Sequence, residues 1–306
     1  MKEAFTSKLG LSKANTEKLE IINEIIEEYL ADDYILTLRQ LYYQLVSRDV
    51  IPNSQKEYTK LSTLLKNGRM AGVVDWGAIE DRGRQPKLPY YVTGIQDALQ
   101  DTVDQYRLNR MQGQEKYVEV WVEKDALSNV FLRVTEKYHV RLMVNKGYSS
   151  CSAMYAASKR FKHSGKSSVL LYFGDHDPSG KDMVRDIRDR LTEFECNVEV
   201  HNPALTIEQV RKFRPPENPA KITDPRAGWY IQQFGKKSWE LDALPPKELI
   251  KIIEASILLH IDKKMYNSVV GKEKEQRNAL EKFMNDFNEE NDSEDNDFDS
   301  DDDDNN

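Results

Sequence analysis

Residues 168–183 read SVLLYFGDHDPSGKDM. Ser168 to Gly174 is a short apolar run closed by turn residues, the pattern of a strand buried on both faces. Asp177-Pro178-Ser179-Gly180 then turns the chain into a helix expected over Lys181–Leu191. The same texture continues outward. Strands are expected at Val118–Val122, Val140–Asn145 and Asn197–Val200, and helices at Ala126–Tyr138 and Ala153–Lys162. Alternation of strand and helix predicts an α/β fold, a parallel sheet covered by helices.

In such a sheet, chemistry collects at the carboxyl ends of the strands. Three acids fall there: Glu123 after the strand Val118–Val122, and Asp175 and Asp177 after Ser168–Gly174. Alternate residues of an extended segment share a face, so Asp175 and Asp177 can aim at one point. Taken singly, each acid also reads as a solvated loop residue or a helix cap. Taken together, three converging carboxylates need a cation, and Mg²⁺ suits hard oxygen ligands and keeps waters for substrate phosphates. The expected metal ligands are therefore Glu123, Asp175 and Asp177. His176 is a spacer, imidazole being a poor partner for Mg²⁺. The helix entered at Pro178-Ser179-Gly180 presents an N-terminus that favours an anion.

The N-terminal region has a different period. Leu19, Ile22, Ile25, Ile26 and Tyr29 mark an amphipathic helix over residues 15–30. Thr37 with Gln40 forms a capping-box pattern that starts a second helix, and Ser54 with Glu57 repeats it before a third, expected to stop at Asn67-Gly68. Three short helices with a tight turn before the last suggest a helix-turn-helix or winged-helix unit, with residues 68–89 able to hold the wing. A helix over residues 93–112 links it to the sheet. In the second helix the sequence TLRQLYY places Arg39 four residues before Tyr43, on the same face. A guanidinium there would favour the phenolate and hold a phosphate beside the hydroxyl. A Tyr-Tyr pair in a three-helix unit also reads as core.

The net charge of −8 hides two parts. Residues 283–306 hold 12 of the 52 acidic side chains and no basic one. The remaining body, with 44 Lys and Arg against 40 acids, is mildly basic and compatible with phosphate contacts. Between Thr37 and Lys87 there are 9 basic and 5 acidic residues. Lys56, Lys60, Lys66, Arg69, Arg82 and Arg84 are the candidate DNA contacts, with a solvated face as the plainer alternative. Two cysteines, Cys151 and Cys196, match neither a disulfide framework nor a zinc spacing, which suits a reducing, cytoplasm-like compartment. No apolar run reaches the length of a membrane span, and the N-terminus lacks a signal-peptide core. The acidic tail from about Asn288 is expected to be disordered. Trp229 to Pro246, with GWYIQQF and SWELDALPP, reads as core packing. Gly165-Lys166-Ser167 is a false P-loop: Arg160 stands where the first Gly belongs, and the triplet precedes its strand.

The pieces VEVWVEKDAL, NKGYSS and LLYFGDHDPSGKDM together resemble a Toprim domain, with Glu123 after its first strand, Gly147 after its second and Asp175-x-Asp177 after its third. The D-x-D-P-x-G form, with E-K and K-G-Y before it, is similar to the A subunit of topoisomerase VI and its meiotic double-strand-break relatives. The R-x-φ-Y-Y stretch at residues 39–43 resembles the same family's winged helix, and the order of the two motifs is the family order. The resemblance covers most of residues 15–200. It implies an N-terminal winged-helix-like unit (1–112) and a Toprim Rossmann-like domain, to which a helical extension is added (113–285); the composition marks residues 286–306 as an acidic tail. It implies Mg²⁺-dependent cleavage and rejoining of double-stranded DNA, with Tyr43 linked to a 5′ phosphate, Arg39 beside it, and Glu123 as metal ligand or general acid/base. A homodimer is implied, the tyrosine of one subunit meeting the metal site of the other. The chain is short for the family and shows no extension of the kind that docks an ATPase B subunit. It is therefore expected to be a stand-alone type or to borrow a motor in trans. Two rivals stay open: a Toprim nuclease that hydrolyses DNA with water, and a non-catalytic DNA-binding protein.

Overall fold

In the computed structural model the described residues are 2–5, 12–80 and 88–297, with side chains to residue 287. Contacts divide the chain into two compact units. One joins Met1–Gln85 with Glu115–His260, and the other joins Pro86–Gln114 with Ile261–Asn306.

The first unit opens with α1 (Lys13–Leu30), β1 (Leu36–Thr37), α2 (Leu38–Ser47), α3 (Gln55–Met70) and β2 (Ile79–Glu80). The five apolar residues of α1 named above are all buried, as the helical period requires. Thr37 and Gln40 make the reciprocal capping box: the Thr37 amide donates to Gln40 Oε1 at 2.8 Å and the Gln40 amide donates to Thr37 Oγ1 at 3.3 Å. Ser54 caps α3 by accepting from the Glu57 amide. The expected stop at Asn67-Gly68 is wrong, since α3 continues to Met70. Gly68 is a packing residue instead. A Cβ there would lie 2.9 Å from Val74 Cγ2 and 3.0 Å from Leu19 Cδ2, so its bareness lets α3 close on α1. After α3 the described residues form a 3-10 turn, Trp76–Ala78, and then β2, which pairs in parallel with β1. No antiparallel wing is present among the described residues of this segment, and residues 81–87 lie outside them.

The chain then supplies α4 (Ile95–Gln105) to the second unit and returns as β3 (Lys116–Val122), a 3-10 turn and α5 (Ser128–Tyr138), β4 (Arg141–Val144), α6 (Cys151–Ser164), β5 (Ser167–Phe173), α7 (Pro178–Glu193) and β6 (Val198–Ala204). The four strands form one parallel sheet in the order β4-β3-β5-β6. From β3 the chain goes first to one neighbour, β4, and then to the other, β5. The strand order therefore reverses between β3 and β5, and the crevice of an open α/β sheet lies outside the carboxyl ends of those two strands. Their register, Lys116↔Ser167 through Val122↔Phe173, brings Glu123 and Gly174 side by side just past the sheet.

One sheet face carries Trp121, Leu170, Tyr172 and Val200 against Met154, Ala157 and Phe161 of α6 and Met183, Ile187 and Leu191 of α7. The other face packs on α5, where Phe131 meets Phe173 edge-on at 4.9 Å. Within the first face Glu119 is almost fully buried, but every lone pair is used. Arg160 donates to both oxygens at 2.7 and 2.8 Å, and Tyr117 and Trp121 add one bond each. A buried carboxylate is tolerable only when satisfied in this way.

Residues 202–225 contain α8 (Ile207–Phe213), opened by a capping box of Thr206 and Gln209, and β7 (Asn218–Pro219). Then follow α9 (Ala227–Phe234), β8 (Lys237–Ser238), a 3-10 turn Leu241–Ala243 and α10 (Pro246–Leu258). Residues 259–262 separate α10 from α11 (Lys263–Asp297), which belongs to the second unit. There Arg110 pairs with Glu273 at 2.7 Å, the Leu108 amide donates to the same carboxylate, and Gln114 and Asp262 exchange two hydrogen bonds. α11 extends to Asp297. Among the described residues no helix is long and apolar enough to cross a membrane.

Candidate functional site at the strand ends

Glu123 follows β3, and its amide donates to the Phe173 carbonyl of β5 at 2.9 Å. Its Oε2 accepts from the Asp175 amide at 3.1 Å. Asp177 is the N-cap of α7, its Oδ1 accepting from the Gly180 amide at 2.6 Å and from the Ser179 hydroxyl at 3.0 Å. Gly180 is required by this turn, since a Cβ would sit 2.3 Å from the Asp175 carbonyl oxygen. The side chain of Asp175 points toward the segment after β8. Its Oδ1 accepts from the Leu241 amide at 2.8 Å and its Oδ2 pairs with Lys124 Nζ at 2.8 Å.

Lys124 is the hub. Its ammonium lies 2.8 Å from Asp175, 2.9 Å from Glu240 and 3.1 Å from Asp242. Arg39 of α2 reaches the same two acids, contacting Glu240 Oε2 and lying 2.6 Å from Asp242 Oδ2. The Tyr43 hydroxyl donates to Glu240 Oε2 at 2.6 Å and lies 3.4 Å from Arg39 Nη2. The tyrosine, the guanidinium and two of the strand-end acids thus belong to one network within the first unit. The ring of Tyr43 is buried, yet with Arg39, Glu240, Tyr42, Tyr58, Asn53 and Asn218 it lines a cavity of about 420 Å³.

Burial and neighbouring charges set the protonation of these groups. Arg39 does favour the Tyr43 phenolate, but burial and the charges of Asp242 and Glu240 outweigh it, so the phenol is harder to ionise than a free tyrosine. Glu240 is held down at about 2: burial opposes this, but the Lys124 ammonium, the Tyr43 hydroxyl and Arg39 prevail. Asp175 is pushed up to about 8, chiefly by burial and further by the charges of Glu123, Asp242 and Glu240, against Lys124. Glu123 is raised by burial and by Asp177 and Asp242.

The expected three-carboxylate metal site is not assembled. Among the described residues no group of three His, Cys, Asp or Glu side chains is arranged to hold a metal ion. Asp175 is paired instead with the Lys124 ammonium, at 2.8 Å. The chemistry of the donors still suits Mg²⁺. Glu123 Oε1 and Asp177 Oδ2 take part in no hydrogen bond among the described residues. One or two carboxylates plus waters is the usual Mg²⁺ complement.

His176 lies between the two aspartates. It is buried, bonded to the Tyr230 hydroxyl at 2.8 Å, and ringed by Tyr230, Phe234 and Trp239. Burial, with the Lys181 charge, lowers it to about 4, so it is neutral at ordinary pH. A two-bond bridge between His176 and Trp239 fastens the segment 239–242 to the Asp175–Asp177 turn. That segment was expected to be core alone. Trp239, Leu241 and Ala243 are core, but Glu240 and Asp242 between them belong to the site. Of the candidate DNA contacts, Lys56, Lys60 and Lys66 are exposed on α3. Lys60 pairs with Glu57. Arg69 donates to the Ile79 carbonyl at 2.9 Å and stacks on Trp76, which gives it a part in fastening α3 to β2. Arg82 and Arg84 lie outside the described residues.

Compared with known proteins, the chain matches no protein-family model and no curated sequence.

Proposed function

We propose that this chain cleaves and rejoins DNA strands by tyrosyl transfer, as a protein of the topoisomerase VI A-subunit kind, with a winged-helix-like N-terminal unit, a Toprim sheet and Mg²⁺. The observation that carries the proposal is the short path from the Tyr43 hydroxyl through Glu240 and Lys124 to Asp175, at the crevice where the strand order reverses.

The phenolic oxygen attacks the scissile phosphorus. A bond from tyrosine to the 5′ phosphate forms as the bond to the 3′ oxygen breaks. The phenolic proton passes to Glu240, which already accepts it, and the departing 3′ oxygen takes a proton from water. As the site stands, that proton transfer is uphill. A phosphate entering beside Tyr43 draws Arg39 and Lys124 toward itself and removes two of the causes that hold Glu240 low, so the base strengthens when substrate is present. Glu123 and Asp177 would hold Mg²⁺, which when bound offsets charge on the scissile phosphate or anchors its neighbour. Rejoining is the reverse step. Two strands need two nucleophiles, so two copies of the chain act on one duplex. Lys56, Lys60 and Lys66 of α3 supply phosphate contacts.

The test is incubation with supercoiled plasmid and Mg²⁺, quenched in detergent with and without proteinase. Cut product that is released only after proteolysis, and is lost with Tyr43→Phe, is the expected result. One observation favours a second reading, metal-dependent hydrolysis of DNA by water: the Tyr43 phenol is unusually hard to ionise. Under that reading Tyr43→Phe keeps cutting and no protein-linked DNA appears.

A further inference from the structure

We infer that residues 207–237, which form α8, β7, α9 and β8, carry a second DNA-binding surface that holds the phosphates of the duplex arm leading away from the strand-end acids. The inference rests on the reading that DNA is the substrate, and adds a surface separate from the lysines of α3. The stretch holds seven basic residues against three acidic ones, an excess of four that equals the excess of the whole body before the acidic tail. Five of the seven, Arg211, Lys212, Arg214, Lys221 and Lys236, are exposed and make no ion pair among the described residues. The other two are paired, Lys237 with Glu217 and Arg226 with Asp182 and Asp224.

Elsewhere in the first unit exposed cations find an acid: Arg48 pairs with Glu28, Lys137 with Glu254, Lys247 with Asp32 and Lys251 with Glu248. Cations also suit a helix C-terminus, but that accounts only for Arg211, Lys212 and Arg214 at the end of α8. Lys221 and Lys236 belong to no helix end. The backbone brings these two together, because the Ala220 amide donates to the Lys236 carbonyl at 2.9 Å where β7 runs antiparallel to β8. Like charges gathered in one short stretch repel one another until an anion enters, and a row of phosphates is the anion that meets several at once.

The placement of the surface selects DNA as its occupant. Trp239 follows β8 directly, and its amide and carbonyl both pair with His176, the residue between Asp175 and Asp177. From Lys236 to Trp239 is three residues, about 10 Å of extended chain, or roughly three base-pair steps along a strand. A strand with a phosphate at the acid turn therefore passes these cations within a few steps. The ribbon also meets the start of α3. Asn53, just before the α3 cap, donates to the Glu217 carbonyl at 3.0 Å and to Asn218 Oδ1 at 2.9 Å. The exposed Lys56 stands two residues beyond that cap, so the basic surface of α3 and that of the ribbon adjoin.

The test titrates the full chain against a fluorescently labelled DNA duplex, without Mg²⁺ so that nothing is cut, at several salt concentrations between about 50 and 200 mM. The variant is Arg211→Gln/Lys221→Gln/Lys236→Gln, three exposed side chains whose loss leaves the core untouched. Each phosphate contact contributes roughly 0.9 to the slope of log affinity against log salt, so the slope should become shallower by about 2.7 and affinity at the lowest salt should fall at least about tenfold. The control, Arg48→Gln/Lys159→Gln/Lys247→Gln, removes the same charge from other exposed positions and should keep the wild-type slope. An equal loss in the control overturns the inference, because net charge and not place then explains it. Unchanged affinity and slope in the first variant, as when the chain's own acidic tail covers the surface, overturns the inference alone. A wild-type chain that binds no duplex overturns the reading of DNA as substrate, and the inference with it.

Discussion

Replacing Lys124 by methionine keeps most of the side-chain length and deletes the charge. In the wild type the ammonium touches Asp175, Glu240 and Asp242 at 2.8, 2.9 and 3.1 Å. After substitution Arg39 alone faces Glu240 and Asp242, and no cation faces Asp175. Removing one member of a buried ion pair costs about 3–5 kcal/mol because the other is left uncompensated. The Lys124 side chain is 19% exposed, which places the expected loss near the low end, about 3 kcal/mol. For a unit of this size that is a fall in Tm of roughly 6–12 °C. The loss should also depend on pH. Asp175 already sits at about 8, above an ordinary aspartate, so the native protein binds more protons than the unfolded chain between about pH 4 and 8. Its contribution to stability therefore falls as pH rises through that window. Without Lys124 the carboxyl rises further, so the penalty should be larger at pH 8 than at pH 5. All four tryptophans lie in the first unit, so their fluorescence in a urea titration reads that unit alone. A variant as stable as wild type at pH 8, or one with the same penalty at both pH values, would refute the reasoning.

Gly180→Ala places a methyl group 2.3 Å from the Asp175 carbonyl, where the neighbour is backbone and cannot swing aside. The expected cost is about 2 kcal/mol in urea denaturation, and wild-type stability in this variant would contradict the geometry. His176 titrates at about 4 in the folded chain, below a free histidine, so the unfolded chain takes up the proton first and stability is lost as pH falls from about 6.5 toward 4. His176→Phe, which keeps the aromatic packing, should flatten that part of the stability–pH curve, and an unchanged acid slope would show that the loss originates elsewhere.

The local patterns determined a large share of this protein. The apolar runs fix the strands, the capping box at Thr37 and Gln40 fixes the start of α2, and residues after β3 and β5 must fall at the carboxyl edge of a parallel sheet. These features depend on neighbours within a few positions, so they are readable in a string of letters. Even so, Gly68 reads as a stop because a helix-ending glycine and a packing glycine look alike until Leu19 and Val74 are seen against it. The tertiary structure alone decided the partners of the charges. Glu240 meets Tyr43 across 197 positions and Lys124 across 116. Within their own segment Glu240 and Asp242 are acids interleaved with core residues, and no local period marks them. Whether Asp175 faces a metal ion or an ammonium likewise depends on where Lys124 can reach once the chain has closed, because the energy of a buried carboxylate is set by the charges brought to it through folding.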